Sequence, residues 1–383
     1  MKHLDRECLL ETLQARLHAH LENERIGGAQ ILVTQHGETV CYLSAGYQNI
    51  LTKEPILPNA IFRLASMTKP VTGIATLIAL DKGWFKLDDL VSDYLPEYKD
   101  MVVGKLINNH VETDHPSSTP LRIWHLLSHC NGIMAETSIG NQIKENTPRE
   151  AFQNISTIVD YCAHVPLAFD PESHTAYTGY VSFDAVARII ELKSGMSYHD
   201  FLKAYIFEPL ELKDMTYTPS CEQWNRMIQM TDRNDCLGMS AVDLGNHTFE
   251  GFPLSYTCAG AGLVSTIEDY RIFTQMLLCK GKYKNKQIFG SHLFYELTKP
   301  RVPDSTPGRD PISSWGLGVR VVVKDHILPV GSFGWSGAYG THFWVDPVNE
   351  ITAIYMRNSR WYDSHGCGNI GLEFEADVMS CLK

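Results

Sequence analysis

This 383-residue sequence is short of several things, and each shortage excludes a class of function. No stretch approaches the roughly 20 consecutive apolar residues of a membrane-spanning helix. The opening segment Met1-Lys2-His3-Leu4-Asp5-Arg6-Glu7-Cys8 lacks the apolar core of a signal peptide. Positive charge is scarce: 33 Lys and Arg stand against 44 Asp and Glu, a formal net charge of −11. With no long basic run either, nucleic acid and anionic membrane surfaces are not expected partners. The ten cysteines include no C-x-x-C pair and the 16 histidines no H-E-x-x-H. A zinc site or redox motif therefore lacks support, and neither a metal nor an organic cofactor is expected. His125 and His129 are spaced i, i+4, but no carboxylate lies between them, so capping and packing are their expected roles. Without an export signal the cysteines read as mostly reduced thiols of a cytoplasmic protein. Internal repeats and low-complexity tracts are absent, and nothing marks an oligomeric state.

What remains is an ordinary globular composition, 44% apolar and 20% charged, long enough for a sizeable core. Residues 4–24 read as an amphipathic helix with Leu9, Leu10, Leu13, Leu17 and Leu21 on one side. Ala29 to Gln35 and Thr39 to Leu43, around His36-Gly37-Glu38, read as a hairpin. Residues 70 to 250 are mostly helical patterns and long loops, with Leu121 to His129 and Phe183 to Ser194 the clearest helices. Strand patterns return at Gly318 to Val323, Gly340 to Val345 and Ile351 to Met356, and a helical pattern covers 369 to 381. Strands at both ends with helices between predict a discontinuous α/β domain, residues 1–68 and 258–383, around a mostly helical insertion, 69–257.

Within Phe62-Arg63-Leu64-Ala65-Ser66-Met67-Thr68-Lys69-Pro70, Ser66 and Lys69 are three apart. On a helix that spacing stacks them one turn apart, a nucleophile beside a base. Pro70 suits a first turn, and Lys82-Gly83 reads as the helix end. Ser66 is thus expected at a helix N-terminus, where partial positive charge favours anionic chemistry. The four-residue pattern alone is weak, because Ser380-Cys381-Leu382-Lys383 matches it too. A Ser–Lys pair also needs a proton carrier and an oxyanion hole. Tyr177, in a loop before the helix carrying Phe183 and Val186, is a candidate carrier. The glycine-dense run Gly331 to Thr341 enters a strand, and its backbone N–H groups are candidate oxyanion donors. Gly334-Trp335-Ser336-Gly337-Ala338 narrowly misses the G-x-S-x-G elbow, but that motif runs from strand to helix, whereas here a strand follows; Ser336 is rejected as that nucleophile.

Taken in order, these segments resemble the serine β-lactamase and penicillin-binding-protein superfamily, in its class C-like esterase and peptidase branch. Phe62 to Lys69 resembles the nucleophile motif, and Leu126-Leu127-Ser128-His129-Cys130-Asn131-Gly132-Ile133 resembles the structural L-L-T-H-T-S-G-L. Tyr177-Thr178-Gly179 stands where Y-x-N is expected, with Phe207-Glu208-Pro209-Leu210 following at a suitable distance. Gly260 to Thr266 resembles G-G-A-G-L-x-S-T, and Trp335-Ser336-Gly337 stands where K-T-G or H-x-G is expected. The resemblance implies an α/β (α+β) β-lactamase/transpeptidase-like fold: an antiparallel sheet flanked by terminal helices, a mostly helical domain, and the active site between them.

It also implies roles. Ser66 is the expected nucleophile, with Lys69 and Tyr177 sharing its proton; which of them is the base stays open. Ser66 and Ala338 are the expected oxyanion donors, and Trp335, Ser336, Gly337 and Tyr339 the substrate-binding residues. Two departures matter: Gly179 replaces the asparagine of Y-x-N, and Trp335 replaces a lysine that docks an antibiotic carboxylate. Both point away from a dedicated β-lactamase and toward hydrolysis of small or medium carboxylic esters. Acyl transfer, D-amino-acid peptidase or amidase action, β-lactamase action and a non-catalytic binding domain are the alternatives.

Overall fold

The computed structural model describes residues 2–234, 238–360 and 369–383. Eight strands form one sheet: β1 (Gly28–Gln35), β2 (Glu38–Asn49), β3 (Glu54–Pro55), β4 (Ser313–Trp315), β5 (Arg320–Val322), β6 (Phe333–Ser336), β7 (His342–Asp346) and β8 (Ile351–Met356). Their spatial order is β4-β5-β6-β7-β8-β1-β2-β3, with every pairing antiparallel. The sheet therefore draws on both ends of the chain, and β1 against β8 joins them, Gln30 opposite Met356 through Gln35 opposite Ile351.

Both faces of the central strands are covered, and the period-2 alternation of a strand assigns the residues. Ile31, Val33, Trp344, Ala353 and Tyr355 meet the terminal helices α1 (Arg6–Glu22) and α5 (Ile370–Ser380), through Leu9, Leu13, Leu17, Phe374 and Val378. Leu32, Phe343, Val345 and Ile354 join the larger core on the other face, with α2 (Lys69–Asp81), α3 (Val181–Ser194) and α4 (Ile267–Leu278). No helix among the described residues is long and apolar enough to cross a membrane.

The structure corrects several sequence expectations. Leu10 is exposed, so the apolar stripe of α1 is narrower than its leucines suggest. The helix expected over Leu121 to His129 is only Ile123–Leu127, because Arg122 is extended and His129 adopts φ 59°. Residues 70 to 250, read as helical patterns and long loops, also hold a ribbon of Val102–Ile107 with His110–Pro116. Residues 220–256 hold a second ribbon, Met230–Asn234 with Gly238–Val242. The cysteines are not all thiols: Cys8 and Cys381 form a disulfide between α1 and the end of α5, 373 residues apart. Cys41, Cys130, Cys162, Cys221, Cys258 and Cys279 are free, and Cys236 and Cys367 lie outside the described residues.

Candidate active site

The chain reaches Ser66 through a short strand, Phe62–Arg63, paired with Val264–Ser265. Asn358, beyond the end of β8, clamps Arg63 from both sides: its Oδ1 accepts the Arg63 N–H at 2.9 Å and its Nδ2 donates to the Arg63 carbonyl at 3.0 Å. Ala65 then takes φ 46°, a left-handed conformation uncommon for a residue with a side chain. A buried 3-10 turn over Ala65–Thr68 runs directly into α2, with Pro70 in its first turn. Strained backbone of this kind persists only where its surroundings over-determine it. Here Tyr270 donates to the Met67 carbonyl at 2.9 Å, and the Thr68 hydroxyl accepts the Leu263 N–H at 3.1 Å.

Lys69 is fully buried with three polar neighbours: Ser66 Oγ at 3.0 Å, the Gly260 carbonyl at 2.9 Å, and the Gly179 carbonyl. Burial disfavours the ammonium and lowers Lys69 to about 7, against the opposing influence of Cys258, Asp184 and Glu136. Tyr177 Oη donates to Ser66 Oγ at 2.7 Å and accepts the Trp335 Nε1–H at 3.2 Å. Burial raises the Tyr177 phenol well above its ordinary range, so it stays protonated near neutrality.

These contacts have a direction. Trp335 only donates, so the Tyr177 proton is left for Ser66 Oγ. Ser66 Oγ accepts from Tyr177 and, while Lys69 is an ammonium, from Lys69 Nζ as well. When Lys69 loses a proton, the two glycine carbonyls keep its two remaining N–H donors, the lone pair faces Ser66, and the Ser66 proton can turn toward it. In that neutral form the network is ordered from the donor-only Trp335 to the acceptor-only glycine carbonyls.

Its supports come from the segments singled out in the sequence. His129 accepts the Thr178 N–H at Nδ1 (3.0 Å), and its carbonyl takes Ala176 N–H and Thr175 Oγ1, which fixes the loop carrying Tyr177. Burial, assisted by the nearby Lys69 charge, keeps His129 neutral. Its ring packs 4.6 Å from Tyr177 and 4.2 Å from Trp315, and Trp315 lies 4.5 Å from Trp335. His125 caps its own helix, accepting the Arg122 N–H at 3.1 Å. No cluster among the described residues is suited to a metal ion.

At the strand end, Gly337 is required by contact. A Cβ there would sit 2.2 Å from the Leu64 carbonyl, which the Thr341 hydroxyl also binds at 2.9 Å. The backbone after β6 is thereby pressed against the residues leading to Ser66. The N–H groups of Ser66 and Ala338 have no hydrogen-bond partner among the described residues.

The structure brings Ser66, Lys69, Tyr177 and Trp335 together, with Gly337 alongside. It does not bring Ser336 or Tyr339 into contact with that cluster. The Ser336 hydroxyl meets His342, and Tyr339 is buried, donating to Glu250 Oε1 at 3.0 Å and accepting the Glu250 N–H at 3.1 Å.

Sequence reasoning missed Asp184. This fully buried carboxylate on α3 accepts the Ala259 N–H at 2.7 Å and the Tyr256 hydroxyl, pinning the loop that presents the Gly260 carbonyl. Burial raises it to about 7. An acidic residue inside the apolar run Phe183 to Val186 is the signal that marks it. Trp315 and the two glycine carbonyls were missed as well, and backbone groups leave no side-chain signature.

A profile of the Beta-lactamase family matches residues 13–375. Protein Rv1367c of Mycobacterium tuberculosis (strain ATCC 25618 / H37Rv) is 25% identical over 364 residues, covering 91% of this chain and 89% of that protein. In structure the chain is similar to EstCE1, described as a hydrolase with promiscuous acyltransferase activity, at TM-score 0.80, 18% identity and 98% coverage of both chains. It is also similar to unliganded simvastatin synthase (LovD) from Aspergillus terreus, at TM-score 0.79, 16% identity and coverage of 97% and 98%. At these identities the two structures speak for the fold, and the profile match across nearly the whole length places the chain in the Beta-lactamase family, with the β-lactamase/transpeptidase fold.

Proposed function

We propose that this protein is a serine hydrolase that cleaves small or medium carboxylic esters through an acyl-enzyme on Ser66. The observation that carries this is the ordered network Trp335–Tyr177–Ser66–Lys69, ending on the Gly179 and Gly260 carbonyls. Ser66 Oγ attacks the acyl carbon and its proton passes to Lys69, poised near 7 by burial. Tyr177 stays protonated and donates to Oγ as charge develops there. Collapse of the tetrahedral adduct releases the alcohol, which recovers the proton from the Lys69 ammonium. Water then repeats the sequence on the acyl-enzyme. The unpaired N–H groups of Ser66 and Ala338 form the oxyanion hole, each worth about 3 kcal/mol in a typical case. Trp335 and Trp315 offer apolar surface and a single N–H at Tyr177 in place of a cation, which favours an uncharged acyl group over a carboxylate-bearing one.

A fluorophosphonate probe followed by peptide mapping tests this. The wild-type adduct is expected on Ser66, and Ser66→Ala should lower ester turnover by about four orders of magnitude or more. A wild-type protein left unmodified at Ser66, or a Ser66→Ala enzyme that keeps its turnover, overturns the assignment. A p-nitrophenyl ester chain-length series run beside nitrocefin, with and without acceptor alcohols, separates esterase, β-lactamase and acyltransferase action.

A further inference from the structure

Trp335 and Ser336 are consecutive residues of β6, so their side chains leave the sheet on opposite faces. Trp335 reaches Tyr177. Ser336 reaches His342, its cross-strand partner on β7, with Oγ 2.8 Å from Nδ1. On the other side of that ring, Nε2 lies 3.1 Å from Glu375 Oε1 on α5, and the same oxygen accepts Arg320 Nη2 at 2.6 Å.

Burial works to raise Glu375, but its contacts with His342 and Arg320 outweigh it and hold the carboxyl below its usual range. A carboxylate only accepts, so Nε2 carries the ring proton. In the tautomer that keeps Nε2–H toward Glu375, Nδ1 offers a lone pair and the shared hydrogen belongs to Ser336. Ser336 is exposed while His342 and Glu375 are buried. This places a nucleophile at the surface, a base beneath it and an orienting carboxylate beneath that. The first turn of α5 comes against the same nitrogen: a Cβ on Gly371 would lie 3.3 Å from His342 Nδ1. The Gly371 N–H has no hydrogen-bond partner among the described residues.

We propose that Ser336, His342 and Glu375 form a second acylation site, on the α5 face of the sheet, for activated acyl and phosphonyl esters. Ser336 Oγ bonds to the acyl carbon as its proton moves to His342 Nδ1. Collapse of the adduct breaks the bond to the leaving alcohol, which takes that proton. Glu375 remains ionised and holds Nε2–H throughout, and the Gly371 N–H stabilises the transient oxyanion. Nothing in this site depends on Ser66.

The test uses the full-length Ser66→Ala protein with a fluorophosphonate and with p-nitrophenyl acetate, read by intact mass and peptide mapping. One adduct on Ser336 is expected, absent from Ser66→Ala/Ser336→Ala. His342→Gln in the Ser66→Ala background should slow labelling about 100-fold. An unmodified Ser66→Ala protein, an adduct elsewhere, or an unchanged rate in His342→Gln overturns the proposal. Ser336 is exposed, so its alanine variant keeps the test decidable if the buried His342 variant fails to fold. The wild-type digest reports Ser66 separately, so failure there is distinguishable from failure here.

Discussion

The pattern Ser-x-x-Lys occurs twice in this molecule, and the two copies share spacing and little else. Ser66 begins a helix, where backbone N–H groups lack partners and partial charge is positive; Ser380 ends one, where the sign is reversed. Lys69 is buried among carbonyl oxygens and pushed down to about 7. The Lys383 side chain is 72% exposed, and its hydrogen bond and charge pairing with Asp5 push it upward. The Ser380 hydroxyl is spent on the Asp377 carbonyl at 2.7 Å. Spacing brings a hydroxyl near an amine; burial and the partners on either side decide whether that amine is a base.

Replacing Lys69 is the hardest test of that contrast. Lys69→Met should lower kcat/KM by about 1,000-fold, within the usual span for a general base. In the wild type, Lys69 gains its active, neutral form as pH rises. The kcat/KM profile should therefore climb through an acid limb near pH 7 and show no alkaline fall below about pH 10, since Tyr177 is raised rather than lowered. A flat profile from pH 5 to 9 would remove Lys69 as the base. Tyr177→Phe keeps the ring packing against His129 and Trp335 while deleting the donor to Ser66, and a loss of about 100-fold in kcat is expected. Trp335→Phe removes the N–H donated to Tyr177 and part of the ring packed against Trp315, and keeps an aromatic face there. One net hydrogen bond is worth about 1 kcal/mol, so steady-state kinetics should show about a fivefold loss. At the other copy, Ser380→Ala and Lys383→Ala should leave esterase rates unchanged and the melting temperature within about 2 °C. A rate loss there would erase the distinction between the two copies.

The parts of the site that were legible are those whose chemistry resides in side chains at fixed offsets. Ser66, Lys69 and the helix start around Pro70 follow from spacing and local propensity, and β1, β2, β8 and α5 from their hydrophobic period. What was hidden depends on long-range closure. Tyr177, which reaches Ser66 across 111 residues, was legible through the order of motifs, whereas Asp184, which reaches Ala259 across 75, was not. The ribbon at 102–116 alternates too weakly to be told from loop, with most of its second strand exposed. Ser336 and Tyr339 share the glycine-rich run with Trp335, yet strand alternation and the Glu250 contact turn them elsewhere. Proximity in sequence is a poor guide where successive side chains face opposite sides of a sheet.

The two carbonyls that hold Lys69 also bear on how this protein can change over evolutionary time. No side-chain substitution deletes a backbone oxygen, so the orientation of Lys69 is shielded from most single mutations at its own contacts. The shielding is unequal. A Cβ at Gly260 would fall 2.5 Å from the Tyr180 Cα, so that position is locked, whereas a Cβ at Gly179 meets nothing within 4 Å. Gly179 is thus a position with room for a side chain while its carbonyl goes on serving Lys69. Variation has room at Gly179 and none at Gly260, though both serve the same ammonium.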